Sequence, residues 1–169
     1  MPDNMMTINQ MYRMLHVWTH RIRHSDRFIE RYSGAQRALL AYLSLDLLME
    51  DDGFVLLIAD GRGEHALAPE TAEYLRQWGV CDTPNIIDRA RTVYQQHGAA
   101  IQAAARNGSS IEELRAQFPQ FDELDADYCL VCEDDFCTVC PYVRRHPAEF
   151  AELTAAAGEI GSPMPPLDA

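Results

Sequence analysis

The sequence contains no lysine, so all 14 of its basic residues are arginines. Arginine presents a planar, permanently charged fork of donors that suits bidentate pairing with carboxylates. The chain also lacks any apolar run of the roughly 20 residues that a membrane-spanning helix needs, and its N-terminus lacks the apolar core of a signal peptide. From these absences we expect a cytoplasmic protein that does not bind membranes.

Positive charge of any kind is scarce. Against the 14 arginines stand 26 acidic residues, and the net charge is −12. The charge is also segregated, because residues 1–45 carry +3 and residues 46–169 carry −15. Proteins that bind DNA or RNA neutralise phosphates with clustered cations, so direct nucleic-acid binding is disfavoured. A basic protein is the favoured partner.

The length of 169 residues and the apolar fraction of 47% predict one compact domain at residues 1–158, followed by a flexible, proline-rich tail at residues 159–169. Helix periodicity and helix-end signals predict an all-α fold of about eight helices. Residues 6–31 have the pattern of a long amphipathic helix with a basic outer face. The apolar run at residues 54–59 is compatible with either a strand or a helix.

Helix-end signals divide the second half of the chain. Thr83-Pro84 predicts an N-cap and a first turn, Gly98 predicts an end, and residues 99–107 form a separate predicted helix. Ser110-x-x-Glu113 is a capping box. Three further helices are predicted at residues 123–131 (capped by Asp122), 139–146 (capped by Thr138) and 147–157.

Acidic residues concentrate in residues 121–135, which contain no basic residue. Carboxylates three or four positions apart on a helix lie roughly 5–6 Å from each other, a separation comparable to that between neighbouring phosphates of a nucleic-acid strand. Such a row suits a basic partner, although a run of acids is also typical of a solvated helix face. The candidate partner-binding carboxylates come from this stretch and from earlier turns: Glu50, Asp51, Asp52, Asp60, Asp122, Glu123, Asp125, Asp127, Glu133, Asp134 and Asp135.

Four of the five cysteines lie within residues 121–143, as two CxxC pairs: Cys129, Cys132, Cys137 and Cys140. Paired CxxC motifs are typical of tetrahedral zinc sites, but the four-residue gap is far shorter than the roughly 15 to 20 residues that usually separate them. Nearby carboxylates would also repel a dianionic zinc centre. The cysteines could instead pack as small apolar side chains, or the second pair could be a redox dithiol. We favour packing, keep a zinc-binding module as the alternative function, and expect no cofactor.

The histidines of this sequence do not indicate a catalytic or metal-binding site. His16, His20 and His24 recur every four residues, which suits a metal site, but no cysteine lies near them and a solvated helix face is favoured. No Ser/His/Asp or Cys/His order occurs at a recognisable spacing. We therefore expect a protein that is not an enzyme.

Three short motifs resemble those of the bacterial DNA-mimic family. Residues 51–60, DDGFVLLIAD, are similar to the family signature NGGFxQFFxN, with Asp51 and Asp52 in place of Asn and Gly and Leu56 in place of Gln. Residues 121–125, FDELD, and residues 142–150, YVRRHPAEF, match further family motifs in the same order. The resemblance covers about residues 40–153.

The resemblance implies an all-α homodimer whose surface carboxylates imitate duplex phosphates. Such a protein would occupy the DNA-binding face of a helix-turn-helix transcription factor and release a repressor from its operator. In the dimer, we expect the basic face of the first helix to neutralise acidic residues near the interface, through Arg13, Arg27 and Arg31.

Overall fold

The computed structural model describes Arg13 and residues 30–158, and it confirms the all-α prediction. The described residues contain eight α-helices and no strand. The helices are α1 (Gly34–Met49), α2 (Gly53–Ala59), α3 (Gly63–Ala66), α4 (Pro69–Gln77), α5 (Thr83–Arg106), α6 (Ile111–Gln117), α7 (Asp122–Arg145) and α8 (Ala151–Gly158), with a 3-10 turn at Pro119–Phe121 before α7. The predicted helix over residues 6–31 lies outside the described residues except for Arg13, Glu30 and Arg31, and so does the predicted tail at 159–169.

Helix α1 forms the centre of the fold. It begins with a capping box, in which the Ser33 hydroxyl accepts from the Gln36 backbone N–H and the Gln36 side chain accepts from the Ser33 N–H. Its alanine and leucine residues are strong helix formers, and Leu39, Leu40 and Leu43 are all buried. A helix that is apolar on every side needs neighbours on every side. Helices α2, α3, α4 and α7 accordingly pack around it.

Helices α5 and α7 are each 24 residues long, about 36 Å, and both run through positions where we predicted an end. Gly98 does not end α5, because it is buried against the Tyr94 ring at a point that leaves no room for a Cβ. Helix α7 is not broken between residues 131 and 139. Thr138 lies inside it and donates to the Asp134 carbonyl at 3.2 Å, and Pro141 is also internal.

The beginnings of both long helices also differ from the prediction. Thr83 is the first residue of α5, and the oxygen that caps its N–H belongs to Asp135 of α7, at 2.8 Å. Asp122 is the first residue of α7 and caps nothing, because Phe121 occupies the N-cap position. Asp135 is only 5% exposed, so α7 supplies a buried carboxylate to the N-terminus of a neighbouring helix.

The remaining predictions of local structure had mixed outcomes. The predicted capping box of Ser110 and Glu113 is confirmed. The undecided run at 54–59 is helical, and the short helix α3 follows it. The last described helix begins at Ala151 rather than at Pro147, because residues 147–150 form a turn.

The YVRRHPAEF motif ties the end of α7 to α4 and α8. The Trp78 ring, which follows α4, stacks on Tyr142 at 5.4 Å and meets the edge of Phe150 at 5.8 Å. His146 stacks on Tyr142 at 4.1 Å. The motif therefore has a packing role here, since its aromatic residues bury one another. Within residues 30–158, no helix combines the length and the apolar character needed to cross a bilayer.

We expect Asp135→Ala to lower the free energy of unfolding by about 1–3 kcal/mol, because it leaves the buried Thr83 N–H without its acceptor. The matched control is Asp134→Ala, which removes the same charge from an exposed neighbouring position and should change stability by about 0.5 kcal/mol or less. Urea denaturation of the two variants provides the comparison. Equal stability losses would contradict the capping role.

Candidate partner-binding surface

Two of the sequence motifs meet at the beginning of α2. The Asp125 carboxylate, from the first turns of α7, accepts a hydrogen bond from the Phe54 backbone N–H at 2.9 Å. The Phe54 and Phe121 rings pack with their centroids 6.1 Å apart. These contacts hold the acidic turn before α2 against the N-terminal end of α7, so carboxylates about 70 residues apart in sequence share one surface.

Gly53 makes this close approach possible. Its φ is +70°, a left-handed conformation that side chains disfavour, and a Cβ built on it would overlap the Asp125 carboxylate. The glycine of the DDGF segment is thus required by the aspartate of the FDELD segment. Neither motif alone reveals that requirement.

Asp125 is a half-buried carboxyl group with an unusual acidity. The pKa of Asp125 is raised to about 6, chiefly by burial. The Phe54 N–H and the Arg115 guanidinium lower this pKa in part, and the neighbouring charge of Asp122 adds to the increase. Asp125 therefore takes up a proton close to neutral pH, and the carboxyl group serves the fold more directly than it serves a partner.

The eleven predicted site residues fall into three groups. Two of them, Asp125 and Asp135, cap helices from inside the fold. Four form ion pairs: Asp52 with Arg115, Asp60 with Arg62, and Glu123 and Asp127 with Arg89. The remaining five are exposed and form no ion pair within the described residues, and we call them the acidic surface: Glu50, Asp51, Asp122, Glu133 and Asp134.

The acidic surface extends along the outer side of α7. Asp122 and Glu133 are eleven residues apart, which is three helical turns, so they lie on the same side at a distance of about 16 Å along the axis. Glu50 and Asp51 lie in the turn that Asp125 holds against the first of these helical turns. Whether these five residues bind a partner remains a prediction.

Two arginines that sequence reasoning missed lie beside the acidic surface. Arg89 of α5 reaches Asp127 at 2.6 Å and Glu123 at 3.6 Å, and Arg115 of α6 reaches Asp52 at 3.6 Å. All these side chains are more than a third exposed, so each pair contributes little to stability. Their main effect is to cancel part of the negative charge next to the acidic surface.

A partly buried acidic residue was also missed. Asp46 of α1 accepts a hydrogen bond from the Tyr128 hydroxyl at 2.8 Å, in a place where burial raises the pKa of Asp46. An aspartate amid the apolar residues of α1 is itself a signal, because a buried carboxylate needs a partner. The partner is 82 residues away in sequence, so no local pattern identifies it.

The four clustered cysteines lie on one continuous helix, and this geometry argues against the zinc alternative. Cys129 and Cys140 are separated by about 16 Å along the axis, whereas the ligands of one zinc ion lie about 2.3 Å from it. Among the described residues, no group of three or more His, Cys, Asp or Glu could hold a metal ion. The packing prediction is wrong for Cys129 and Cys137, which are exposed. It is confirmed for Cys140, which is buried, and for Cys132, which is partly buried against the core.

Comparison with known proteins places these features in a family. The family described as "DMP19-like protein" matches residues 30–146 of the chain. A relative from Neisseria meningitidis serogroup B (strain ATCC BAA-335 / MC58), "DNA mimic protein DMP19", is 34% identical over 137 residues, which are 81% of this chain and 83% of the relative. The matched residues include the acidic turn and all of α7.

The raised pKa of Asp125 predicts a definite dependence of stability on pH. Because the folded pKa of about 6 lies above the 3.8 of an ordinary aspartate, the folded protein binds more protons than the unfolded chain between these values, and the Asp125 contribution to stability falls as pH rises from about 4 to 6. The Asp125→Asn variant keeps the acceptor for Phe54 but does not titrate. We expect it to gain stability relative to the native protein across this range, as measured by urea denaturation, with Asp134→Asn as the control. A constant difference from pH 4 to 7 would contradict the assignment.

Proposed function

The chain belongs to the DMP19-like protein family, and on this premise we propose that it is a DNA mimic. Its acidic surface occupies the DNA-binding face of a helix-turn-helix transcriptional repressor, prevents operator binding and so relieves repression. The role is one of binding and requires no catalytic step.

The observation that carries the proposal is the set of five exposed carboxylates that have no ion pair within the described residues. Unpaired acids in close proximity repel one another and lower stability, and a basic partner that neutralises them removes this repulsion. Fixed charges at two places about 16 Å apart along helix α7, Asp122 at one and Glu133 with Asp134 at the other, offer the arginines and lysines of a DNA-binding face anions in place of phosphates.

The electrostatics favour a partner that already binds DNA. Its basic residues would meet carboxylates instead of phosphates, and the two ligands would compete for the same surface. Exposed charges more than about 8 Å apart are screened at physiological ionic strength, so the affinity of the mimic should fall as salt is raised.

We expect the protein to release a helix-turn-helix repressor of its source organism from that repressor's labelled operator in a low-salt gel shift. Neutralising two unpaired acids, in Glu50→Gln with Asp122→Asn, should raise the concentration needed for half release roughly fivefold, because each exposed charge contributes about 0.5 kcal/mol.

The matched control removes two charges from the opposite end of the fold, in Glu73→Gln with Glu152→Gln. Glu73 lies on α4, which Glu70 joins to the beginning of α1 through Arg37, and Glu152 follows Glu149, whose carbonyl accepts from Gln36. This control should release the repressor as the native protein does. The proposal would be refuted if the native protein released no helix-turn-helix repressor of its source organism from its operator. It would also be refuted if both double variants lost the same amount of releasing activity.

We also propose that the protein acts as a homodimer. Helix-turn-helix repressors are commonly dimers that read two half-sites about 34 Å apart, and two copies of the acidic surface would face both recognition helices. Arg13, Arg27 and Arg31 are the expected neutralising residues near that interface. Sedimentation at micromolar concentration should show a dimer, and a species of about 19 kDa alone would contradict it.

A further inference from the structure

Leu130 is a large apolar side chain that lies on the surface. It is 82% exposed, and it is the large hydrophobic side chain that is classed as exposed among the described residues. It lies on the exposed side of α7, eight residues after Asp122 and three before Glu133. Single exposed leucines are ordinary on protein surfaces, so the position of this one matters more than its exposure.

Leu130 is surrounded by the charges of the proposed interface. On a helix, the neighbours of a residue are those three and four positions away, with Cβ atoms about 5–6 Å distant. For Leu130 these are Ala126 and Asp127 on one side and Glu133 and Asp134 on the other. An apolar side chain therefore stands inside a frame of three carboxylates.

We propose that Leu130 is the apolar contact of the acidic surface and packs against apolar side chains on the basic DNA-binding face of the partner. This inference rests on the proposed function and extends it. The mimicry then includes an apolar group among the anions, as duplex DNA offers the thymine methyl group in its major groove. The side chains with which DNA-binding proteins touch that methyl, such as alanine, threonine and phenylalanine, suit a leucine equally well.

Charge and apolar contact have different consequences for binding. Attraction between exposed charges speeds the encounter and weakens with salt, whereas burial of apolar surface does not weaken with salt. Interfaces commonly combine the two, with an apolar residue at the centre and charged residues at the rim. Leu130 thus supplies the part of the affinity that survives at higher ionic strength.

The surrounding charges select the basic partner over a second copy of this chain. In a two-fold contact centred on Leu130, the unpaired Glu133 and Asp134 of one copy would approach carboxylates of the other copy, and like charges in such proximity oppose association. A basic surface is attracted to both.

The decisive variant is Leu130→Glu, because charge and apolar contact predict opposite results for it. If the surface binds by charge alone, an added carboxylate strengthens binding. We expect instead that Leu130→Glu and Leu130→Ala each weaken binding to the purified repressor that the native protein releases from its operator, by about tenfold or more, and that Leu130→Met stays close to the native affinity. Because Leu130 is exposed, all three variants should fold, which circular dichroism checks.

A second readout separates the two contributions. On a poly-arginine resin, which offers charge alone, Leu130→Ala should elute at the salt concentration of the native protein and Leu130→Glu at a higher one. Unchanged or tighter repressor binding by Leu130→Glu would overturn the inference while leaving the proposed function in place. A shift from dimer to monomer in sedimentation of Leu130→Glu would overturn it by assigning Leu130 to a second copy. If the native protein releases no repressor, the proposed function fails and the inference with it.

Discussion

Two aspartates on the inner side of α7 each bind the N-terminus of another helix, and the arrangement of the fold depends on these two contacts. Asp125 binds the first turn of α2 and Asp135 the first residue of α5. The first N–H groups of a helix have no partner within it and carry partial positive charge, so a carboxylate satisfies both the hydrogen bond and the dipole. Through them α7 sets the position of both helices that flank it.

The same helix separates its acids by role. The two acids that face inward, Asp125 and Asp135, cap neighbouring helices, and burial raises the pKa of Asp125. Those that face outward are left without ion pairs in the described residues, beside others that Arg89 and Arg115 partly neutralise. The protein tolerates the resulting repulsion because its core, centred on α1, is built mostly of buried apolar side chains. The electrostatic potential that would attract a partner thus comes from the outer acids, whereas the stability of the fold comes from the core around α1.

Local signals predicted much of this fold, and distant contacts account for what they missed. The capping box of Ser110 and Glu113 spans four residues and could be predicted directly. The cap of Thr83 comes from Asp135, 52 residues away, and no periodicity reveals it. For the same reason the helix breaks expected near Gly98 and Thr138 do not occur, because packing of the long helices outweighs local preference. At the site, the clustering of acids was predictable, but their division into capping, paired and unpaired groups needed the three-dimensional arrangement.

The inner and outer acids of α7 should also drift differently under mutation. A partner that responds to a field summed over several charges accepts a carboxylate lost at one position and gained a turn away. Asp125 cannot be replaced by a carboxylate one turn away. Its side chain fills the space that Gly53 leaves open, and it accepts the hydrogen bond of the Phe54 N–H. Related chains are therefore expected to conserve the total charge of the outer side while its positions wander, and to keep the inner aspartates in place. Selection then acts on the two sides of α7 separately: on the total charge of the outer side and on the geometry of the inner side.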